Sequence, residues 1–178
     1  MEAESAYIAL GGNLGDPRQE ITRGVEAITR LPRCELEICS SLYRSPPLTA
    51  DGGQQPDYLN AVVRIRCSAP PAVLLGQLQG IEAAAGRSRS GPRWGPRILD
   101  LDLLLYGRVS QRESWLTLPH PEMMQRSFVL VPLLEIAPEL PLPGEIRCKT
   151  ALRPEMMKGC TLVAPPPWGG AHEKREAF

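Results

Sequence analysis

The stretch over residues 93–106 constrains the fold more than any other part of the chain. It begins in a basic segment broken by glycine and proline and continues into an apolar run that is too short for a typical helix. In a strand, successive side chains point to opposite faces, so Asp100 and Asp102 share one face with Leu104 and Tyr106. The other face is predicted to consist of the alternating leucines Leu99, Leu101, Leu103 and Leu105.

Two aspartates in an otherwise core-like strand suggest a bound cation, because carboxylates are rarely buried without a partner. Mg²⁺ is commonly held by one or two carboxylates together with substrate phosphates. The alternative is a solvated pair at the rim of a strand. The Asp-x-Asp motif of aspartyl-phosphate phosphatases fits poorly, since it belongs to a first strand and requires Thr or Val where Leu104 stands.

Arginines are concentrated just before this strand, with no acidic residue between Glu82 and Asp100. They are Arg87, Arg89, Arg93 and Arg97. Such a density of guanidinium groups favours a polyphosphate ligand over a solvated loop, although composition alone allows both. Trp94 would lie against a base or fix the loop to the core. Together, the arginines and aspartates predict a Mg-nucleotide site.

Composition indicates a single globular domain in a reducing compartment. The chain has 178 residues with 20 basic and 20 acidic side chains, so no excess charge favours nucleic acid. Five cysteines without a Cys-x-x-Cys spacing argue against zinc and against a disulfide framework. Neither a signal peptide nor an apolar run of about 20 residues occurs, so we expect a cytoplasmic protein without membrane contact.

Hydrophobic periodicity and turn residues predict the order strand, helix, strand, strand, helix, strand. The predicted bounds are 7–10, 16–31, 35–43, 60–67, 70–86 and 99–106. This is the βαββαβ order of the α+β ferredoxin-like fold, an antiparallel sheet with both helices on one face. The other face is left for further elements or a ligand. We also predict a helical turn at 122–126 and a core helix at 128–136, with residues 1–164 forming the domain and 165–178 a disordered tail.

Several polar and aromatic residues outside this strand are ambiguous on composition alone. His120, between two prolines, is either a structural histidine or a hydrogen-bond donor to phosphate. Tyr58, Asn60 and Phe128 are either ordinary core and turn residues or a binding set.

The segment from Arg93 to Asp102 resembles the signature of the 6-hydroxymethyl-7,8-dihydropterin pyrophosphokinase family. Further segments resemble the same family in the same order: 7–15, 45–48, 55–61, 81–82, 86–87, 118–121 and 132–138. The resemblance implies transfer of pyrophosphate from ATP to the hydroxymethyl group of the dihydropterin in folate biosynthesis, with AMP as the other product. It also implies the ferredoxin-like fold, ATP as co-substrate and two Mg²⁺ ions.

The resemblance assigns roles to individual residues. Arg87, Arg97, Asp100 and Asp102 are the implied catalytic residues, and the two aspartates hold the metals. The implied ATP site consists of Gln79, Glu82, Arg87, Arg89, Arg93, Trp94, Arg97, Thr117, His120 and Arg126. The implied pterin site consists of Ser45, Leu48, Tyr58, Asn60 and Phe128, which replaces the reading of the last three as ordinary core.

The chain departs from the family pattern at a few positions. Gly12 stands where the family usually has serine, and Trp115 where a basic residue can occur. No side chain is assigned as general base. We expect a monomer whose partners are the two small-molecule substrates. The alternative from another class is a ferredoxin-like module that binds RNA or protein on its open face, and the chain is too short for a fused second folate enzyme.

Overall fold

A computed structural model describes residues 2–48, 55–86, 95–144 and 146–168. The main sheet consists of β1 (Glu4–Gly12), β2 (Cys34–Cys39), β3 (Leu42–Ser45), β4 (Tyr58–Cys67), β5 (Asp100–Tyr106) and β10 (Thr161–Ala164). The longer helices are α1 (Pro17–Thr29), α2 (Pro71–Ala84) and α3 (Ser127–Ile136). The short elements are β6 (Gln111–Arg112), β7 (Thr117–Leu118), a 3₁₀ turn (Met123–Gln125), β8 (Pro141–Leu142), β9 (Ile146–Arg147), α4 (Cys148–Ala151) and α5 (Pro154–Met157).

The strand order of the sheet is β10-β3-β4-β1-β5, with β2 also paired to β4 and every pairing antiparallel. The inner order β5-β1-β4-β2/β3 is that of the ferredoxin-like βαββαβ unit. Helices α1 and α2 pack on one face, where the buried side chains of both helices join those of the strands in one apolar cluster. The predicted fold class is therefore confirmed.

Both of these helices form where local signals predict them. The Asp16 side chain accepts a hydrogen bond from the Gln19 N–H, and Pro17 occupies the first turn of α1. The side chains that α1 buries recur every three or four residues, at Ile21, Val25 and Ile28. Helix α2 is followed by Gly86 with φ of 94°, a left-handed conformation that glycine adopts without strain.

The single strand predicted over 35–43 is wrong, because two strands, β2 and β3, occupy this region. The Ser40 hydroxyl accepts a hydrogen bond from the Val62 N–H, which replaces a backbone acceptor in the ladder. The Ser41 N–H donates to a Glu135 carboxylate oxygen on α3 instead of to a neighbouring strand. The Ser40 N–H still donates to the Val62 carbonyl, but a side chain replaces one backbone partner at each of these two positions and the strand is interrupted there.

Strict alternation along β5 is also wrong beyond Leu103. The pairing with β1 shifts between Tyr7 and Ile8, so that Tyr7 opposes Leu105 and Ile8 opposes Leu103. This β-bulge places Leu104 and Leu105 together on the α3 side of the sheet and returns Tyr106 to the side of α1 and α2. The aspartates precede the bulge, so the prediction that they share one face is unaffected.

The second face of the sheet is shared between α3 and a cavity. The helix predicted over 128–136 and the turn predicted over 122–126 are both present. Buried residues of α3 pack on Val62 and Leu104 in a second apolar cluster. Sequence patterns did not predict β10, which pairs with β3. Most of the predicted tail lies outside the described residues, but Trp168 is described and packs against the first cluster.

Two further predictions concern cysteine chemistry and membranes. All five cysteines lie within the described residues, and none of them is in a disulfide. Among residues 2–48, 55–86, 95–144 and 146–168, no helix is both long enough and apolar enough to span a bilayer.

Candidate active site

A cavity of about 280 Å³ lies on the α3 face of the sheet, beside the start of that helix. Ten of the residues proposed from the sequence line it: Ser45, Leu48, Tyr58, Asn60, Arg97, Asp100, Asp102, His120, Arg126 and Phe128. They come from β3, β4, β5 and α3 and from the segments before β4, β5 and α3. Residues distant in sequence therefore meet in one site.

Strand β1 provides the floor of the cavity and separates its two chemical halves. Gly11 pairs with Asp100 on β5 and with Asn60 on β4, and Ala9 pairs with Asp102. A Cβ at Gly11 would lie 3.2 Å from Asn60 Oδ1, so a side chain there would crowd the amide. The small floor residues leave the space between the carboxylates and the amide open.

The two aspartates each face an arginine. Arg97 Nη1 donates to Asp100 Oδ1 at 2.6 Å, and Arg126 Nη1 donates to Asp102 Oδ2 at 3.3 Å. Burial raises the pKa of Asp102, and the neighbouring Asp100 carboxylate raises it further, against the opposing effect of His120 and Arg126. The pair is thus a site of concentrated negative charge with an arginine beside each carboxylate.

His120 uses one ring nitrogen for a backbone hydrogen bond and turns the other toward Asp102. Its Nδ1 accepts a hydrogen bond from the Glu122 N–H at 3.2 Å, which leaves the ring proton on Nε2. Nε2 lies 3.9 Å from Asp102 Oδ2. Burial lowers the pKa of His120, an effect that Asp102 opposes. The ring bonds to backbone, as the structural interpretation expects, and it also lines the cavity, while donation to phosphate stays a prediction.

Arg126 joins the carboxylates to the aromatic part of the cavity. One terminal nitrogen pairs with Asp102 and the other with Glu122, and the guanidinium carbon lies 5.7 Å from the centre of the Phe128 ring. Its Nε is buried without a hydrogen-bond partner among the described residues. A buried donor without an acceptor is costly, so this atom is suited to bind an anionic ligand.

The amide and aromatic residues occupy the opposite half. Asn60 Nδ2 donates to Ser45 Oγ at 3.0 Å and to the Tyr43 carbonyl at 3.4 Å, which fixes the orientation of the amide. The Tyr58 hydroxyl donates to the Gly95 carbonyl at 3.0 Å, and burial raises the pKa of this phenol. Tyr58 and Phe128 line the same cavity and present aromatic surface to it.

Three proposed ATP-site residues do not line the cavity. Glu82 is only 2% exposed, and its Oε1 accepts a hydrogen bond from the Leu101 N–H, so it anchors β5 beneath the aspartates. Gln79 on α2 and Thr117 on β7 are half-buried elsewhere. Four further residues fall outside the described residues: Arg87, Arg89, Arg93 and Trp94.

Sequence reasoning missed Glu122, which also lines the cavity. Its spacing of four residues from Arg126 is the available signal, because residues so spaced can pair on a helical turn. The role of Gly11 in the cavity floor could be recognised only once the register of β1 with β4 and β5 was known.

Comparisons with known proteins identify the family of the chain. The sequence model of 7,8-dihydro-6-hydroxymethylpterin-pyrophosphokinase (HPPK) matches residues 7–138. The chain is 48% identical over 140 residues to the 2-amino-4-hydroxy-6-hydroxymethyldihydropteridine pyrophosphokinase of Haemophilus influenzae, covering 79% of this chain and 86% of that protein. It is 40% identical over 181 residues to the protein of the same name from Synechocystis, covering 99% and 90%.

Solved structures show the same fold. A Plasmodium falciparum HPPK-DHPS structure with pterin and p-hydrobenzoate aligns with a TM-score of 0.66 at 11% identity, and the alignment covers 90% of this chain and 48% of that one. At this identity the likeness concerns the fold alone, and the chain spans about half the length of the Plasmodium protein. The sequence matches carry the further conclusion that the chain belongs to the 7,8-dihydro-6-hydroxymethylpterin-pyrophosphokinase family.

Proposed function

We propose that this chain transfers pyrophosphate from ATP to the hydroxymethyl group of 6-hydroxymethyl-7,8-dihydropterin in folate biosynthesis, releasing AMP. The observation that carries the proposal is that Asp100 and Asp102 share one cavity with Tyr58, Asn60 and Phe128. The relatives named above are pyrophosphokinases of this substrate. A site for a flat, polar-edged ring thus adjoins a site for charged phosphates.

The pterin is proposed to lie between Tyr58 and Phe128, with its polar edge toward Asn60. Aromatic faces suit a flat heterocycle, and the Asn60 amide has both donor and acceptor groups to match a pterin edge. Because Ser45 and the Tyr43 carbonyl hold Nδ2, the amide meets its ligand in a fixed orientation. Leu48, which is 49% exposed and lines the cavity, would cover the bound ring.

The carboxylate pair fits Mg²⁺ held jointly with ATP phosphates. Asp100 and Asp102 supply hard oxygen ligands on one face of β5. The Asp100 side chain is 27% exposed and the Asp102 side chain 35% exposed, so both are accessible from the cavity. No cluster of three or more candidate protein ligands occurs among the described residues, so phosphates and water would complete the coordination. We propose that two Mg²⁺ ions bind here. When bound, they would neutralise phosphate charge and orient the triphosphate.

The cationic side chains are proposed to stabilise the phosphates. Arg97 and Arg126 now pair with the carboxylates and would turn part of their donor capacity to phosphate oxygens. Arg126 Nε, which has no hydrogen-bond partner among the described residues, and the His120 Nε2–H add two further donors at the same place. The roles of Arg87, Arg89, Arg93, Trp94, Gln79, Glu82 and Thr117 remain predictions.

The reaction requires an in-line attack at the β-phosphorus. The hydroxymethyl oxygen forms a bond to this phosphorus, the bond to the oxygen bridging the α- and β-phosphorus breaks, and AMP leaves with that oxygen. The hydroxyl proton is lost to solvent or a phosphate oxygen, since His120 is already protonated on its free nitrogen. Catalysis then rests on positioning and charge stabilisation.

The alternative of an RNA- or protein-binding module loses its principal support, because α3 and the cavity occupy the sheet face that such a module would use. A monomer in the cytoplasm remains our prediction for the assembly and compartment.

The test is product analysis with Mg-ATP in the presence and absence of the dihydropterin. AMP should form only when both substrates are present, whereas ADP or no turnover would contradict the proposal. Asp100→Asn should lose turnover while retaining the circular dichroism spectrum of the wild type. Near-normal turnover in this variant would refute the metal assignment.

A further inference from the structure

A buried asparagine outside the cavity lining connects the two halves of the site. Asn13, in the turn between β1 and α1, is only 3% exposed. Its Nδ2 donates to the Pro56 carbonyl at 3.0 Å and to Gln55 Oε1 at 3.3 Å. Its Oδ1 accepts from the Arg97 N–H at 2.9 Å. One amide thus uses both ends to hold segments that lie more than 40 residues apart in sequence.

These bonds are part of a closed ring. Pro56 is two residues before Tyr58, the Tyr58 hydroxyl bonds to the Gly95 carbonyl, and Gly95 is two residues before Arg97. The Arg97 carbonyl in turn accepts hydrogen bonds from the backbone N–H groups of Asn13 and Leu14. The ring therefore contains one residue proposed to contact the pterin and one proposed to contact phosphate.

The turn approaches the Arg97 segment unusually closely. A Cβ at Gly12 would overlap the Ile98 carbonyl oxygen, so glycine permits the approach that brings Asn13 within bonding distance of Arg97. Arg97 itself bonds to Asp100. Asn13 thus fixes the backbone of Arg97, and the Arg97 side chain in turn contacts Asp100 of the carboxylate pair.

We propose that Asn13 is a positioning residue that fixes Tyr58 and Arg97 relative to each other, and so aligns the pterin with the phosphates. The proposal rests on the proposed function above. It assigns Asn13 no contact with either substrate. Because one side chain holds both segments, its loss should affect both substrates and the rate of the bound complex together.

Two variants separate the ends of the amide. Asn13→Ala removes both, and we expect kcat to fall about tenfold with higher KM values for both substrates. Asn13→Asp keeps the acceptor for the Arg97 N–H but sets a carboxylate oxygen against the Pro56 carbonyl. It should therefore raise the KM of the pterin more than that of Mg-ATP. A larger rise for Mg-ATP would overturn the assignment of the two ends.

A control in the same turn removes a purely structural contact. Asp16→Ala deletes the cap of α1 and should lower the melting temperature without changing kcat or either KM. A double-mutant cycle with Tyr58→Phe, which breaks the ring at Gly95, adds a second criterion. Asn13→Ala should cost less than about threefold in that background, because the ring is already open. Equal losses in both backgrounds would refute the ring.

Hydrogen exchange tests the positioning independently of catalysis. The Arg97 amide donates to Asn13, so its exchange should accelerate about tenfold or more in Asn13→Ala and remain unchanged in Asp16→Ala. Unchanged Arg97 exchange in Asn13→Ala would overturn the proposal even if the enzyme assay failed for other reasons. Accelerated exchange with wild-type kinetic constants would show that the ring does not serve the reaction and would also overturn it.

Discussion

Replacing Asp102 by asparagine is expected to stabilise the metal-free protein while removing its activity. Asparagine keeps the size of the side chain and can still accept a hydrogen bond from Arg126, which lies 3.3 Å from Asp102. It removes the negative charge beside Asp100. A carboxylate whose role is to bind a metal should lower the stability of the folded protein when the metal is absent. A carboxylate whose role is structural should not.

The size of the effect follows from the spacing on β5. Two strand residues rise about 7 Å, at which two carboxylates repel by roughly 2 kcal/mol for an effective dielectric constant of about 20. Arg126 offsets part of this repulsion, and the side chain of Asp102 is 35% exposed, so solvent screens more of it. A net gain of about 1 kcal/mol remains, which corresponds to a rise in melting temperature of about 3 °C.

The pH dependence has a defined sign. The pKa of Asp102 is raised in the folded protein above its ordinary value of 3.8, so the folded state holds this proton more tightly than the unfolded state. Wild-type stability therefore falls as pH rises through the raised pKa, and Asp102→Asn lacks this loss. The stability difference between the two proteins should vanish below about pH 3.8 and grow as the pH rises above it.

Thermal and urea unfolding without metal measure the gap, with Asp16→Asn as the matched control. That control makes the same chemical change at an exposed helix cap, where asparagine serves as well as aspartate. Mg²⁺ should raise the melting temperature of the wild type and not of Asp102→Asn. Activity should fall about 10²- to 10³-fold. Lower stability of the variant at pH 7, or retained activity, would contradict a metal-binding role for Asp102.

Two further predictions concern the scaffold. Glu135→Ala removes the acceptor of the Ser41 N–H and should destabilise the protein by about 3 kcal/mol in urea unfolding. The control Glu139→Ala removes an exposed, ion-paired carboxylate and should leave the free energy of unfolding at the wild-type value. Equal losses of stability in the two variants would contradict this prediction. Cys34 and Cys67, cross-strand partners with sulfurs 2.7 Å apart, should form a disulfide with diamide, seen by mass spectrometry as the loss of two hydrogens. Burial raises the pKa of Cys34 to about 12, so the reaction should accelerate with rising pH, and a pH-independent rate would be inconsistent with this.

Features set by neighbouring residues could be predicted from the sequence. The cap and stripe of α1 depend on Asp16, Pro17 and the helical spacing of apolar residues, all within one segment. The shared face of Asp100 and Asp102 depends only on the two-residue period of a strand. These local rules, in chain order, were sufficient to give the ferredoxin-like fold.

Features that depend on residues far apart in the chain could not be predicted from the sequence. The break between β2 and β3 depends on Glu135, which lies 94 residues from Ser41. The bulge in β5 depends on its register with β1. Likewise, Glu122 enters the cavity only because α3 brings Arg126 to Asp102, and Asn13 acquires its partners only when residues 55–56 and Arg97 meet around it.

The fate of the β-phosphorus of ATP tests the proposed reaction most directly. With ATP labelled with ³²P at the β-position, Mg²⁺ and 6-hydroxymethyl-7,8-dihydropterin, all transferred label should appear in the pterin product, and the AMP should be unlabelled. Label retained in ADP would mean that only the γ-phosphoryl group moves, and it would contradict a site built to present the β-phosphorus to the pterin.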